Sequence, residues 1–189
     1  MALKPSTRER LISVGSTAVA AALSRRGLPD RRIEDLRPLS PTQDPLVGEV
    51  CTALENCRAG AVLVVEPGKP SPPMALLVRR GVAGIVSAGP LRDLAEILRT
   101  GLPAYQRQPA SEKPIPVAHG EMLVGDRLGV IAIPVHLVDE IAEEAAEALA
   151  FEEFTAEQVN QGGGVYGLHI PSGDRARIAF AAWRKLKGR

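Results

Sequence analysis

Arg92 and Asp93 stand side by side in the stretch SAGPLRDLAEILRTG, with Glu96 in the turn that follows. A guanidinium can grip a carboxylate through two parallel hydrogen bonds, and a neighbouring carboxylate can hold a hard divalent cation through oxygen. Together the two side chains could bind a 2-oxo acid on a metal. The same residues also read as an ordinary helix start. Leu91, Leu94, Ile97 and Leu98 recur at helical spacing, with Asp93 in the first turn and Arg99 in the last, each at the end that the helix dipole favours. Position bears on the choice: a loop that leaves a buried strand and opens a helix is where an open α/β sheet gathers ligands.

The elements that would hold this loop can be read from apolar runs and their punctuation. AGAVLVVEPGKP and GVAGIVSAG are short, β-branched and almost wholly apolar, which predicts strands buried on both faces. Between them SPPMALLVRRG, with a proline pair at its start and Gly81 at its end, has the asymmetry of a helix. Upstream, Ser6 followed by Glu9 is a capping-box pattern, and a second start at Ser16 leads into an Ala-rich helix ended by Gly27 and Pro29, so two helices are expected over 1–28. Downstream, strands are expected at PIPVAHG and RLGVIAIP, then a long helix from about Leu137 into Val159. Its apolar stripe carries Ile141, Ala145 and Leu149, and its opposite face is acidic. The tail over 160–189 reads as a glycine-rich turn, an extended piece and a last helix. On it Trp183 is an apolar anchor that reads as looking for a partner, and the tail is expected to pack on the domain or on a neighbour. No repeat or linker divides the 189 residues, so one domain is expected.

Composition narrows the partners. The 23 basic and 22 acidic residues leave a formal charge of +1, which provides no global field for nucleic acid or a membrane surface. Aromatic residues make up only 3% of the chain, too few for base-stacking platforms. Cys51 and Cys57 lack CxxC spacing and read as two free thiols of a reducing, cytoplasmic setting. The charged start MALKPSTRERL matches neither a signal peptide nor a membrane span. His119, His136 and His169 are isolated. In HGEMLVGD the spacing of His119, Glu121 and Asp126 matches no zinc pattern, and Asp126 reads as a turn residue.

Taken in order, IEDLRPLSP, GAVLVV, RGVAGIVSAGPLRD, GLPAY, GDRLGVIAIP and FEEF…GGGVYGLHIP…AAWRK resemble the RraA-like family over nearly the whole chain. That family includes regulators of ribonuclease activity and class II pyruvate aldolases acting on small 4-hydroxy-2-oxo acids. The most specific piece is the Arg-Asp pair followed by an acid, here Arg92, Asp93 and Glu96. The resemblance implies an α/β fold of the α-β-β-α swivelling type (phosphohistidine-like) with a C-terminal helical tail, assembled as a homotrimer or a dimer of trimers with sites between subunits. It implies that Arg92 orients pyruvate and that Asp93 binds Mg²⁺ or Mn²⁺, which would stabilise an enolate in aldol cleavage or oxaloacetate decarboxylation. Ser71, Met74 and Ala75 would contribute to the substrate pocket, with Glu96, Glu152 and Glu153 as possible outer-shell acids.

The chain departs from the family pattern at Ser71, where family enzymes carry an aspartate or glutamate. Serine supplies no negative charge, and Pro70, Pro72 and Pro73 each lack an N–H donor. The helix STAVAAALSRRG lacks the aspartate common after such a start, and GEVCTALENCRAGAVLVV looks shortened, as if a strand and loop before Ala53 were missing. Two readings stay open: a metal-dependent lyase on small 2-oxo acids, and a catalytically degenerate regulatory protein acting by protein-protein binding. Both expect an oligomer, so light scattering at micromolar concentration should return the mass of a trimer or hexamer, and a monomer would contradict the expectation.

Overall fold

Val62–Val65 (β4) and Gly84–Ser87 (β5) are four-residue strands in which every residue is buried, and they pair in parallel from Val62↔Gly84 to Val65↔Ser87. Strands without a solvent face need a layer on each side, and the rest of the chain supplies both. The computed structural model describes residues 3–109, 111–162, 167 and 170–188. The other strands are Arg32–Ile33 (β1), Leu36–Pro38 (β2), Leu46–Cys51 (β3), Ala104–Arg107 (β6), Met122–Asp126 (β7) and Gly129–Ile133 (β8). All eight join in the order β1-β8-β7-β3-β4-β5-β6-β2. Around them lie the helices Pro5–Arg25 (α1), Met74–Arg80 (α2), Leu94–Thr100 (α3), Val138–Asn160 (α4) and Asp174–Leu186 (α5).

Side-chain alternation sorts the core into layers. Val62 and Val64 of β4 face inward with Leu46, Val86, Tyr105, Leu123 and Val130, filling the space between the two halves of the sheet. Leu63 and Val65 face the other way, against Met74 and Leu77 of α2, Leu91, and Ile97 of α3. On the far half, Val124 of β7 and Ile131 of β8 point out to Leu11, Val19 and Leu23 of α1 and to Ile141 and Ala145 of α4. The result is helix, sheet, sheet, helix, the α-β-β-α layering expected from the resemblance. Gly84 has no room for a side chain: a Cβ there would collide with Leu46 Cδ1 and with the Pro103 carbonyl oxygen.

The two N-terminal helices are realised as one element broken at Gly15, whose φ of 72° and ψ of 178° lie outside helical space. The break is held from a distance. Asp126, at the end of β7, accepts the Ser16 N–H at 2.7 Å and the Ser16 hydroxyl at 3.0 Å, and closes its own turn by accepting the Leu128 N–H at 2.8 Å. Asp126 is thus both the turn residue expected and the cap of the second helical segment. A Cβ at Gly15 would stand 2.9 Å from the Asp126 carboxylate.

Several expectations are corrected. The Ser6–Glu9 capping box does not form: the helix begins at Pro5 after Lys4, with no side-chain cap, since proline is suited to that first position. PIPVAHG is not a strand. Pro114 and Pro116 remove two ladder donors, and the antiparallel strand is Met122–Asp126 instead. A strand does precede Ala53, namely β3. Trp183 needs no neighbouring subunit to cover it. It is buried in its own chain against Phe154 and Phe180, and its indole N–H donates to Glu157 at 2.8 Å. The tail helix therefore docks on α4 through an aromatic cluster that also includes Phe151. The glycine-rich turn and His169 lie outside the described residues.

Replacing Asp126 with alanine should lower stability by about 1–2 kcal/mol, the scale of a lost helix cap. Urea unfolding followed by circular dichroism measures it, and an unchanged midpoint would mean the cap carries no weight.

Candidate functional site

Because β4 and β5 run in parallel, their carboxyl ends open on one edge of the sheet. The chain leaves β4 there through residues 66–73 and leaves β5 through residues 88–93. Loops at the carboxyl ends of parallel strands are a common place for ligand-binding residues. The loop of residues 88–93 is fastened along its length. Ala88 N–H donates to the Val65 carbonyl at 3.0 Å, and Gly89 N–H to Ser87 Oγ at 3.3 Å. Leu91 N–H donates to Gln106 Oε1 on β6 at 3.1 Å, and the Leu91 side chain is buried beside Ile97. These ties leave the next two side chains, Arg92 and Asp93, exposed.

Asp93 is the N-cap of α3 rather than a first-turn residue, and its backbone is left-handed, with φ 54° and ψ 45°. Its carbonyl accepts the Glu96 and Ile97 N–H groups at 2.9 and 3.1 Å, so the helix start is made by backbone alone. The carboxylate does not cap the helix. Left-handed backbone at a non-glycine residue stores strain of the kind found at ligand-binding loops, and here it turns an acid away from the helix end that would otherwise engage it. Neither Arg92 nor Asp93 has a side-chain hydrogen bond or ion pair among the described residues.

The neighbouring loop brings Ser71 to the same edge, half-buried, with its hydroxyl 3.5 Å from the Pro72 carbonyl. Pro73 is the N-cap of α2, and no side chain caps that helix. Met74 is 2% exposed and its side chain belongs to the core, which leaves only its backbone to face a ligand, whereas Ala75 is exposed. Glu96 lies half-buried in the first turn of α3. Glu152 and Glu153 are carried by α4 in the opposite outer layer, where Glu153 lines a cleft with Arg10 and Arg184. Within one chain, therefore, Ser71, Ala75, Arg92 and Asp93 share an edge, and the two α4 acids do not join them.

The remaining candidates have structural roles or stand apart. Glu121 pairs with Arg31 at 2.6 Å and accepts the Ala118 N–H at 2.8 Å, so His119, Glu121 and Asp126 do not converge. His136 is exposed ahead of α4. Cys51 and Cys57 are free and buried together, and burial with the neighbouring Cys51 pushes the Cys57 thiol up to about 12. Burial likewise pushes the Tyr105 phenol up to about 12, and its hydroxyl donates to the Asp126 carbonyl at 3.1 Å. Among the described residues no three His, Cys, Asp or Glu side chains gather as a metal cage. Likewise, no helix among them is long and apolar enough to cross a membrane. What Asp93 offers is one unengaged hard-oxygen donor. That suits a cation which keeps several waters and is shared with its substrate, as Mg²⁺ commonly is, better than a preformed cage.

Sequence reasoning passed over Gln106, which holds the loop through Leu91, and half-buried Glu66, which directly follows β4 on the same edge. Glutamine in GLPAYQR carries no signal of its own. The position of Glu66 at the end of an apolar run was the available clue.

The family model described as RraA-like, aldolase/RraA, matches residues 19–132, a span that holds both loops. No curated protein matches the chain at a significant level. Among solved structures, Streptomyces coelicolor RraAS2, described as an unusual member of the RNase ES inhibitor RraA protein family, is 22% identical. That match covers 82% of this chain and 98% of that one, with a TM-score of 0.67. An uncharacterized protein from Pseudomonas syringae pv. tomato str. DC3000 is 17% identical over 94% of this chain and 99% of its own, with a TM-score of 0.70. At these identities the likeness is one of fold.

The left-handed backbone at Asp93 can be tested without any ligand. Asp93→Gly should leave stability unchanged or raise it by up to about 1 kcal/mol, and Asp93→Val should lower it by about 1–2 kcal/mol. Thermal unfolding of the two variants in parallel decides, and equal losses would mean that residue 93 is not held in this conformation.

Proposed function

The chain belongs to the RraA-like (aldolase/RraA) family, and from that premise we propose that it is a divalent-metal-dependent lyase acting on small 2-oxo acids. The reactions in view are cleavage of a 4-hydroxy-2-oxo acid to pyruvate or decarboxylation of oxaloacetate. The observation that carries the reading is the unengaged Arg92–Asp93 pair, presented on a fastened loop at the carboxyl edge of the parallel strands. Asp93 would hold the Mg²⁺ or Mn²⁺ ion, which when bound supplies Lewis-acid polarisation of the 2-oxo group. Arg92 would grip the substrate carboxylate with its two parallel donors, fixing which face and which carbon are presented. Glu96, one helical turn from Asp93, would orient water around the site. Glu152 and Glu153 would have to arrive from a second copy, in a homotrimer or a dimer of trimers.

A second reading, a regulatory protein acting by protein-protein binding, is favoured by the loop of residues 70–73. Serine stands there in place of an acid, and three prolines withdraw N–H donors from the face a substrate would use. RraAS2, described as an unusual member of the RNase ES inhibitor RraA protein family, gives that reading its precedent.

The deciding measurement is pyruvate release from oxaloacetate and from a 4-hydroxy-2-oxo acid, with Mg²⁺ or Mn²⁺ present and then removed by chelation. Arg92→Ala and Asp93→Ala should each cost on the order of 10² or more in rate, the scale of one lost electrostatic contact to a transition state. Both should stay folded: the exposed Arg92 side chain contributes about 0.5 kcal/mol or less, and alanine in the left-handed backbone at position 93 costs about 1 kcal/mol. Ser71→Asp should raise metal affinity or turnover. No metal-dependent turnover in the native chain, and none gained with Ser71→Asp, would transfer the assignment to the regulatory reading.

A further inference from the structure

A polar cleft lies at the end of the parallel strands opposite the Arg92–Asp93 loop. Arg58 and Ala61 line it just before β4 begins, whereas Arg92 and Asp93 follow the end of β5, so the two places occupy opposite edges of the β4–β5 pair. The cleft encloses about 400 Å³, within the range of small-molecule sites, and its polar lining comes from Glu49, Asn56, Arg58 and His119. These residues come from β3, from the turn that enters β4 and from the turn ahead of β7. Backbone bonds fix them relative to one another. Gly120 N–H donates to the Val50 carbonyl at 3.2 Å, Val50 N–H to the Glu121 carbonyl at 2.7 Å, and Ala61 N–H to the Arg58 carbonyl at 3.1 Å.

The charges in this cleft are unusual in having nothing to neutralise them. Glu49 is the one half-buried residue of β3, whose other residues are all buried, and a carboxylate in a central strand is costly unless it is paired. Yet no hydrogen bond or ion pair engages the side chains of Glu49, Arg58 or His119 among the described residues. Glu49 and Arg58 line the same cleft with opposite charge and do not close on each other. Their neighbours Arg31 and Glu121, by contrast, pair at 2.6 Å. A simple anion would be attracted by Arg58 and repelled by Glu49, and a simple cation the reverse.

We propose that this cleft binds a small zwitterion of the α-amino acid class. Arg58 takes the carboxylate, assisted by the Asn56 amide, and Glu49 takes the ammonium. Cys51 and Ala61 form the apolar wall against which a short ligand side chain rests. This inference is independent of the lyase reading, since it shares no residue with Arg92–Asp93.

Calorimetric titration of the full chain with alanine, serine and glutamate tests it, with propionate and ethylamine as the two singly charged halves of alanine. At least one amino acid should bind saturably, and for alanine each half should bind about tenfold or more weakly, the scale of one lost charge-assisted hydrogen bond. Glu49→Gln and Arg58→Gln should each weaken the amino acid by about tenfold or more, with circular dichroism confirming the fold. Arg58 is exposed, so its variant keeps the test valid if Glu49→Gln fails to fold. Binding should survive in Arg92→Ala, which separates this cleft from the proposed lyase site. The proposal is overturned by no binding of any of the three up to about 10 mM, by propionate binding as tightly as alanine, or by binding that is lost in Arg92→Ala and kept in Arg58→Gln.

Discussion

Strand β3 has to satisfy two different partners. On one side it pairs antiparallel with β7, from Leu46↔Gly125 to Glu49↔Met122, and on the other it pairs in parallel with β4 through Val50↔Val62 and Cys51↔Leu63. Six residues thus join an antiparallel half and a parallel half into one hydrogen-bonded surface, and the two halves face each other across the core built around Val64, Val86 and Leu123. Without that shared strand the α1–α4 layer and the α2–α3 layer would belong to separate sheets. The parallel register of β4 and β5 would have nothing to stand on. The candidate site inherits its geometry from this arrangement. The loops of residues 66–73 and 88–93 leave the same edge because β4 and β5 point the same way, and they point the same way because the α2 crossover returns the chain to the end where β4 began.

How much of this could be read beforehand depended on whether the cause was local. The strands in GAVLVV, GVAGIVSAG and RLGVIAIP, the helix ending at Gly81 and the long helix before Asn160 were legible, because each carries its own apolar pattern and its own stops. β3 was not, since LVGEVC carries a glycine and an acid in the middle of its apolar run. β1 and β2 span two and three residues, too short for any periodicity. PIPVAHG misled because β-branched composition speaks for a strand while its prolines deny the ladder its donors. Ser16 signalled a helix start correctly, but the cap comes from Asp126, far along the chain, and no local window contains both.

The site divides in the same way. That Arg92 and Asp93 would sit on a loop between a strand and a helix followed from the apolar runs on either side. Their proposed chemistry followed only from the resemblance. That Asp93 would adopt a left-handed backbone and withhold its carboxylate from the helix was invisible, because aspartate at a helix start ordinarily does the opposite. Gln106 and Glu49 were hidden for a further reason. A polar residue in a strand declares its role only when the strand next to it is known.

The segment Arg32–Pro38 has a consequence for how the protein behaves in a crowded solution. Its first strand pairs with β8 and its second with β6, and the corner between them turns at Asp35, with φ 61°. One short stretch therefore covers both outer rims of the eight-strand surface. An uncovered rim presents a row of free amide and carbonyl groups onto which another chain can add as an extra strand, the first step of ordered aggregation. Here the strands left outermost are two and three residues long and carry Arg32, Arg37 and Pro38, a charged and donor-poor border that gives an incoming strand little to grow from.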